Sequence, residues 1–288
     1  MHRAKGWVGR GLGHDKLNRL VSVARAERRR ARYLALRALG QSPEARVRDG
    51  LGPFELQVFS QNGEDGVLHA LFSHLGVQRG RFVEFGIQDG REGNAVLLAD
   101  VMGWSGLFIE ADPDAYVALE AKYRHAPGVA TERARVRPGQ LDELLEAHDL
   151  RRPDLLSIDV DGEDYWIWRS SRVRPKVVVV EYNAALGLER LVQPADLGRG
   201  WDGSRAFGAS LTALEALGRA KGYRLVHCEL AGVNAFFVRE DLAAECPDLP
   251  VEVLYRPANY GLEGREHPGE LDALPWVRVR AEDGEPEG

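Results

Sequence analysis

The sequence has few cysteines and no long apolar run. Its 288 residues include only Cys228 and Cys246, and their spacing fits neither a zinc site nor a disulfide framework. No apolar stretch approaches the roughly 18 residues that a membrane-spanning helix requires, and the N-terminus lacks the apolar segment of a secretory signal. We therefore expect a cytoplasmic protein without a transmembrane segment.

Charge is distributed unevenly along the chain. Residues 1–50 contain 13 Lys and Arg against 4 Asp and Glu, whereas the remaining residues contain 25 against 40. Between residues 16 and 39, apolar residues recur at three-to-four spacing, which predicts an amphipathic basic helix. Such a helix can lie on anionic lipid, bind nucleic acid, or pack on the body or on a second copy. We expect packing, including a homodimer through this helix, because the rest of the chain is acidic. Nucleic acid is not an expected partner.

The rest of the chain alternates short apolar segments with helical ones. We predict helices at 113–124, 138–148 and 209–221, and strands at 81–86, 105–111, 129–136, 154–160, 176–182, 224–230 and 234–239. This alternation is typical of an α/β protein with a mostly parallel sheet. Only a short turn separates the last two strands, so we expect them to pair antiparallel as a C-terminal hairpin.

Three segments follow from this pattern. Residues 1–50 form the basic helical arm, residues 51–250 form the α/β domain, and residues 251–288 form a C-terminal extension. The extension ends in AEDGEPEG, which is too polar to pack and is predicted to be a disordered acidic tail.

The first predicted strand ends in a turn that contains two glycines, in the segment FVEFGIQDG at 82–90. Glycines such as Gly86 and Gly90 let the backbone pass close to a ligand. Gln88 stands where a dinucleotide fingerprint has its middle glycine, which disfavours a pyrophosphate and an NAD-dependent oxidoreductase. Glu110 ends the next strand, at the position of a carboxylate that binds ribose hydroxyls. We interpret these residues as a nucleoside site; turn glycines and a helix-capping acid are the alternative.

These segments together resemble the class I S-adenosylmethionine-dependent methyltransferases and, within them, the FkbM-like family. The resemblance covers roughly residues 55–245 and rests on the turn at 84–90 with Glu110 and on the segments SQNGEDGVL (60–68), SIDVDGEDYWIW (157–168) and GVNAFFV (232–238). It implies a Rossmann-like fold with a seven-stranded sheet and S-adenosylmethionine as the cofactor. This chain has Asp-Val-Asp-Gly-Glu-Asp where members of the family commonly have Asp-Val-Glu-Gly-x-Glu.

The resemblance also implies roles for individual residues. Glu84 is expected near the methionine end of the cofactor, Gly86 and Gly90 beneath it, and Glu110 on the ribose. Asp159 is expected beside the cofactor as well. Gln61 and Glu64 are candidates for covering the methionine end, and helix capping is the equal alternative for this segment.

Acidic residues follow the fourth predicted strand and end the fifth. We expect Asp161, with Asp159 beside it, to deprotonate the hydroxyl of an acceptor. Alternatively, Asp161, Glu181 and Asn183 hold magnesium or manganese, an arrangement similar to that of metal-dependent catechol-type O-methyltransferases. His227, in the strand at 224–230, is a second candidate base, for which a structural role is the alternative.

The predicted function is methyl transfer from S-adenosylmethionine to a hydroxyl of a sugar or of a sugar-containing natural-product small molecule. The rival hypothesis is a non-catalytic nucleoside-binding module that is recruited through its basic N-terminal arm.

Overall fold

The computed structural model describes residues 9–39, 47–195, 197, 201–260 and 266–287; for residues 9–20 and 39 it describes the backbone alone. Eight α-helices lie in this part of the chain: α1 (Gly9–Leu39), α2 (Glu64–His74), α3 (Val96–Asp100), α4 (Pro113–Tyr123), α5 (Leu141–Ala147), α6 (Asp164–Ser170), α7 (Leu211–Ala220) and α8 (Val251–Leu254). No helix in the described ranges is both long and apolar enough to cross a membrane.

A seven-stranded sheet organises the fold. In chain order the strands are β1 (Arg81–Phe85), β2 (Ser105–Glu110), β3 (Val129–Arg133), β4 (Leu155–Ile158), β5 (Val177–Glu181), β6 (Leu191–Val192), β7 (Tyr223–Cys228), β8 (Asn234–Arg239) and β9 (Val277–Arg278). The sheet order is β3-β2-β1-β4-β5-β8-β7, and β6 pairs with β9 in a separate two-stranded sheet. Strand β8 runs antiparallel to both β5 and β7. The predicted mostly parallel α/β sheet with a C-terminal hairpin is confirmed.

Both faces of the central sheet are covered. Alternate residues of β5 enter opposite cores, Val178 and Val180 on one face and Val177 and Val179 on the other. All four are fully buried, as a strand covered on both faces requires. The sheet is therefore solvent-accessible mainly at its strand ends, and parallel strands bring their carboxyl ends to one edge.

The C-terminal half of α1 packs on the body. Leu36 is only 1% exposed and forms a small apolar cluster with Val58 and Leu97. The guanidinium of Arg29 lies 4.5 Å from the centre of the Phe59 ring. The basic helix predicted for residues 16–39 is thus present, starts earlier than expected, and is attached to the domain that it precedes.

The C-terminal segment also lies against the domain, contrary to the expectation of a disordered tail. Val279 is fully buried and follows the pairing of β9 with β6. Beyond it, the Tyr165 hydroxyl donates to the Gly284 carbonyl and Arg169 forms an ion pair with Glu285. Composition predicted disorder because the segment has few apolar residues; its polar groups find partners on α6 instead.

Candidate functional site

A cavity of about 1630 Å³ opens at the carboxyl edge of the sheet. Its walls include the ends of β1, β2 and β5 and the segment that follows β4, which supply Glu84, Glu110, Glu181 and Asp159. In an open α/β sheet, this edge is where ligands bind, since loops diverge there and leave a crevice. The residues singled out in the sequence can be located relative to this cavity one by one.

Glu84 anchors the segment after β1. Its carboxylate accepts hydrogen bonds from the backbone N–H groups of Asn94 (2.7 Å) and Ala95 (2.9 Å), at the start of α3. The Ser157 hydroxyl lies 3.4 Å away. Burial raises the pKa of Glu84 to about 7, although these hydrogen bonds oppose the shift. Glu84 lines the cavity and therefore combines a structural role with a position at the site.

Glu110 closes the loop between β1 and α3. One carboxylate oxygen accepts from the Gln88 N–H (2.6 Å) and the other from the Asp112 N–H (2.7 Å). Gln88 has a φ of +54°, so the loop turns there in the left-handed conformation. The carboxylate of Glu110 lines the cavity and retains acceptor sites, because each oxygen can accept two hydrogen bonds.

The two glycines of the turn are explained by packing within the protein. Gly86 has a φ of +81°, and a Cβ there would lie 1.6 Å from the Asp159 carbonyl oxygen. Gly90 has a φ of +72°, and a Cβ there would meet Leu119 at 2.7 Å. Gly90 does not line the cavity, whereas Gly86 does. We expected both glycines to lie beneath a cofactor, and for Gly90 this expectation is corrected. At Gly86, the close neighbour is the backbone of Asp159, in the segment that follows β4.

The SQNGEDGVL segment contributes to the cavity through Gln61 and Glu64. Glu64 is buried and accepts from the Asn62 N–H (2.8 Å) and from the Asn234 side chain (2.9 Å). Asp65, also buried, accepts from the N–H groups of residues 58–60. The N-cap of α2 is Gly63, where no side chain forms a capping hydrogen bond. Asp65 instead holds the loop that precedes the helix, and Glu64 lines the cavity.

Asp159, Asp161 and Glu181 come together on the cavity wall. Each offers a carboxylate oxygen, and these oxygens lie within 4.8 Å of one another. Asp161 has a φ of +54°, so a left-handed turn places it there rather than the alternation of an extended strand. Asp164 closes this turn by accepting from the Val160 N–H (2.9 Å) and the Gly162 N–H (2.8 Å). Asp164 is also the first residue of α6, so its carboxylate connects the start of the helix to the turn that carries Asp161.

Electrostatics in the cluster favour a shared proton or a cation. Burial, followed by the neighbouring carboxylates, raises the pKa values of Asp159 and Glu181 well above their usual range. Burial also raises the pKa of Asp161, and His267 opposes that shift. Among the described residues, the buried oxygen Oε2 of Glu181 has no hydrogen-bond partner. Three carboxylates this close do not all ionise without compensation.

Asn183 does not join the cluster. Its amide donates to the carbonyls of Arg205 (2.7 Å) and Phe207 (2.8 Å), and its oxygen accepts from the Ala185 N–H (2.9 Å). The side chain is buried and its hydrogen bonds are used to hold the loop that follows β5. The expectation that Asn183 is a metal ligand is corrected accordingly.

His227 is also separate from the cavity. Its Nε2 lies 2.9 Å from Glu55 Oε1, and the other oxygen of Glu55 accepts from the Leu230 N–H (3.1 Å). The imidazole is buried beside the Phe236 ring and is not part of the cavity wall. The structure therefore assigns His227 the structural alternative.

Three aromatic side chains that the sequence did not reveal line the cavity: Trp201, Tyr260 and His267. The His267 ring centre lies 4.7 Å from that of Trp201 and 4.6 Å from that of Tyr260. Burial lowers the pKa of His267, and the charge of Asp161 opposes that shift. Tyr260 and His267 belong to the segment beyond residue 250, where neither periodicity nor a motif marks them.

A model of the methyltransferase FkbM domain family matches residues 74–225, just over half of the chain. The matched region contributes the floor of the cavity from Glu84 to Trp201. The wall formed by α1 and the wall formed by Tyr260 and His267 lie outside it. No curated protein matches the sequence.

Among solved structures, the chain is similar to the N-terminal domain of EvdMO1 with SAH bound, at 16% identity and a TM-score of 0.40, over 63% of this chain and 81% of that one. It is similar to Aeropyrum pernix fibrillarin in complex with S-adenosyl-L-methionine at 18% identity and a TM-score of 0.30, over 36% of this chain and 45% of that one. It therefore spans less than half of the fibrillarin chain. An O-methyltransferase from Bacillus cereus in complex with SAH is similar at 19% identity and a TM-score of 0.30, over 41% and 56% respectively.

Proposed function

The chain belongs to the FkbM methyltransferase domain family, and on that premise we propose that it transfers a methyl group from S-adenosylmethionine to a hydroxyl group of a sugar or a sugar-containing natural-product small molecule. One observation supports a hydroxyl group as the methyl acceptor. The carboxylate oxygens of Asp159, Asp161 and Glu181 lie within 4.8 Å of one another on the cavity wall, where they could accept the hydroxyl proton.

The cavity wall suits the cofactor. Near Glu110 it includes Ile109, Ala134 and Val136, an apolar surface of the kind on which an adenine ring packs. Glu110 would accept hydrogen bonds from the ribose hydroxyls. Asp159 and Glu84 place on the wall two carboxyl groups whose ionised forms would complement a sulfonium ion, and Gln61 and Glu64 extend the polar wall. The cofactor, when bound, supplies an electrophilic methyl group.

The acidic cluster would act on the acceptor. A methyl group moves to an oxygen more readily when the hydroxyl proton is accepted as the new bond forms, and a carboxylate within hydrogen-bond distance can accept it. Asp161 is the exposed member of the cluster and so the one an acceptor reaches first. Burial and the charge of Glu110 raise the pKa of Asp161. The charge of Asp161 in turn helps to raise the pKa values of Asp159 and Glu181.

A divalent cation is the second way in which the cluster could act. The unpartnered oxygen of Glu181 supplies a buried acceptor, and three carboxylates form an all-oxygen set that magnesium or manganese prefers. Held there, the ion would offset the negative charge of the cluster and lower the pKa of a hydroxyl that binds to it. Asp159, Asp161 and Glu181 would be its ligands, without Asn183.

The aromatic side chains favour a ring-shaped acceptor. Trp201, Tyr260 and His267 form a continuous set of rings on the cavity wall. Flat aromatic faces bind the apolar faces of sugar rings, while neighbouring polar groups bind the hydroxyls. A sugar placed against these rings would present its hydroxyls toward the acids.

Asp161→Asn tests the proposal. The asparagine keeps the size of the side chain and tolerates the left-handed backbone, but it cannot accept a proton. We expect the rate of methyl transfer to a panel of sugar acceptors to fall by about 100-fold or more, with little change in S-adenosylhomocysteine affinity. Asp149→Asn is the matched control, because Asp149 is exposed, has the same φ of +54° and does not line the cavity. Full turnover by Asp161→Asn would remove the acids from the mechanism.

Chelation separates the two versions. If a metal acts, treatment with EDTA abolishes turnover and magnesium or manganese restores it, whereas direct base catalysis is indifferent to EDTA. The metal version also predicts that Glu181→Gln weakens manganese binding in calorimetry, a measurement that does not depend on finding the acceptor.

A further inference from the structure

One face of α1 forms part of the cavity mouth. Val21, Ser22, Arg25, Arg28 and Arg29 line the cavity at the three-to-four spacing of residues that share a helix face. The helix is held in this position farther along, where Leu36 is buried against the body. The basic arm therefore supplies part of the cavity wall that the family-matched region does not.

None of the three arginines has a carboxylate within ion-pair distance in the described part of the chain. Arg29 donates to the Arg91 carbonyl (3.0 Å) and lies over Phe59. Within the described residues, neither Arg25 nor Arg28 has a carboxylate within ion-pair distance. Both side chains are exposed at the mouth, so an incoming ligand can reach them.

Other arginines at the cavity are already paired. Arg91 lies 3.2 Å from a carboxylate oxygen of Asp89, and Arg135 lies 3.6 Å from one of Glu163. The unpaired positive charge is consequently concentrated on α1, whereas the floor of the cavity is acidic. This polarity suits a ligand that has a neutral hydroxyl-bearing part at the floor and an anionic part at the mouth.

The cavity has room for such a ligand beside the cofactor. Its volume of about 1630 Å³ exceeds the roughly 300–1,000 Å³ of a site for one small molecule. Two guanidinium groups one helical turn apart match the several oxygens and the double charge of a phosphate better than a single carboxylate.

We propose that the acceptor carries a phosphate or diphosphate group, which Arg25 and Arg28 bind at the cavity mouth while the sugar hydroxyl reaches the acidic cluster. This inference rests on the proposed methyl transfer. It assigns the basic arm a role in selecting the acceptor: a neutral sugar without the phosphate would bind to the same cavity more weakly.

Calorimetry tests the anion site without knowledge of the acceptor. Inorganic pyrophosphate is titrated into the full chain saturated with S-adenosylhomocysteine. We expect binding that weakens with added salt and that is at least about tenfold weaker in the double variant Arg25→Gln/Arg28→Gln. Arg30→Gln is the control for charge lost elsewhere on the helix: it removes one positive charge, against two in the double variant, from an exposed position that does not line the cavity. S-adenosylhomocysteine affinity is expected to be the same in all three proteins.

Three results would overturn the inference. Equal pyrophosphate binding by the double variant and by Arg30→Gln would show that the two arginines are not the site. A loss of S-adenosylhomocysteine affinity in the double variant would assign the arginines to the cofactor. Sedimentation of the protein with phosphatidylglycerol vesicles, undiminished by saturating pyrophosphate, would show that the helix binds a membrane surface instead. Failure of S-adenosylhomocysteine to bind to the wild-type protein would instead contradict the proposed function, and pyrophosphate binding can be measured independently of it.

Discussion

Gly86 shows how a single residue links the fold to the site. The first strand and the segment after the fourth approach so closely that the Asp159 carbonyl occupies the place of a Cβ at Gly86. A side chain at Gly86 would push away the segment that carries Asp159 and Asp161. Gly86 therefore helps to position the acidic cluster by leaving room for the Asp159 backbone. This need for a glycine does not depend on a bound ligand.

Gly86→Ala should accordingly destabilise the protein even without ligand. We expect a loss of about 3 kcal/mol or more in the free energy of unfolding, from the combined cost of the clash and of the left-handed backbone. Gly139→Ala is the control, since Gly139 has a similar φ of +85° and no neighbour within 4 Å of the added Cβ; it should cost about 1 kcal/mol. Urea unfolding measures both, and equal losses would mean that the backbone conformation alone explains the glycine.

The buried carboxylates give the protein an unusual pH dependence. Burial raises the pKa values of Glu84 and Glu229 to about 7. The folded state then holds protons that the unfolded state releases between about pH 4.5 and 7. Because the folded pKa is the higher one, the free energy of unfolding should increase as the pH falls through this window.

We expect urea unfolding to show greater stability at about pH 5.5 than at about pH 8, by on the order of 2 kcal/mol for each such group. In the Glu229→Gln variant, residue 229 cannot titrate. The free energy of unfolding should therefore change less with pH than in the wild-type protein, whatever the effect of the substitution on stability itself. Stability that declines steadily from neutral pH toward pH 5.5 would contradict this account of the buried acids.

Among the elements, α1 attaches to the domain through a small apolar contact. Leu36 is 1% exposed, whereas Leu34, two residues earlier on the same helix, is 57% exposed. Leu36→Ala should cost about 2–3 kcal/mol because it leaves a cavity beside Val58 and Leu97. Leu34→Ala should cost less than about 0.5 kcal/mol. Thermal unfolding and amide hydrogen exchange of the helix measure the difference, and equal effects would mean that the helix is not docked in solution.

The regular elements could be predicted from the sequence because local patterns determine them. Short segments, most of them rich in apolar residues, marked the seven strands of the sheet, and the short turn at Gly232 indicated the antiparallel pairing of β7 with β8. The two-residue strands β6 and β9 left no such pattern, since their pairing joins Leu191 to Arg278 across the sequence. Contacts of that kind depend on the folded body and not on periodicity.

The site was predictable only in part for the same reason. Strand ends located Glu84, Glu110, Asp159 and Glu181, because parallel strands end at one edge. Asp161 also lies in the cluster, but the end of a strand does not explain its position. A left-handed turn after β4 carries it there.

The sequence alone could not show where the side chains of His227 and Asn183 lie, because their partners lie far away in the sequence or on the following loop. The Glu55 that binds His227 precedes it by 172 residues, and Asn183 is held by the carbonyls of residues 205 and 207. Neither hydrogen bond leaves a trace in local sequence patterns.

At the scale of the whole molecule, the cavity is assembled from regions of opposite charge. The domain supplies the acidic floor, α1 supplies arginines at the mouth, and the segment beyond residue 250 supplies Tyr260 and His267. Glu84, Glu110 and Asp159 lie within the family-matched region, whereas Gln61, Glu64 and the walls formed by α1 and by Tyr260 and His267 lie outside it. A homodimer through α1 stays a prediction, which light scattering of the full chain tests.

The loop after β1 determines which nucleoside ligand the molecule can accept. In a dinucleotide site, the amides of this loop and of the following helix start bind a pyrophosphate. Here carboxylates already occupy them: Glu110 accepts from the Gln88 N–H, Asp89 from the Arg91 N–H, and Glu84 from the two N–H groups before α3. A phosphate at this position would lose those donors and meet three carboxyl groups.

We therefore expect calorimetry to show S-adenosylhomocysteine binding with a dissociation constant in the micromolar range, about −8 kcal/mol, and NAD should not displace it. The reason is that the first ligand has no phosphate, whereas NAD must place its pyrophosphate where the loop amides are occupied. The test measures displacement of S-adenosylhomocysteine by NAD and not NAD binding alone. The arginines of α1 could bind the phosphates of NAD at the cavity mouth while the nucleoside site stays empty. Displacement of S-adenosylhomocysteine by NAD at comparable concentration would contradict both the assignment of the loop and the methyltransferase function proposed from it.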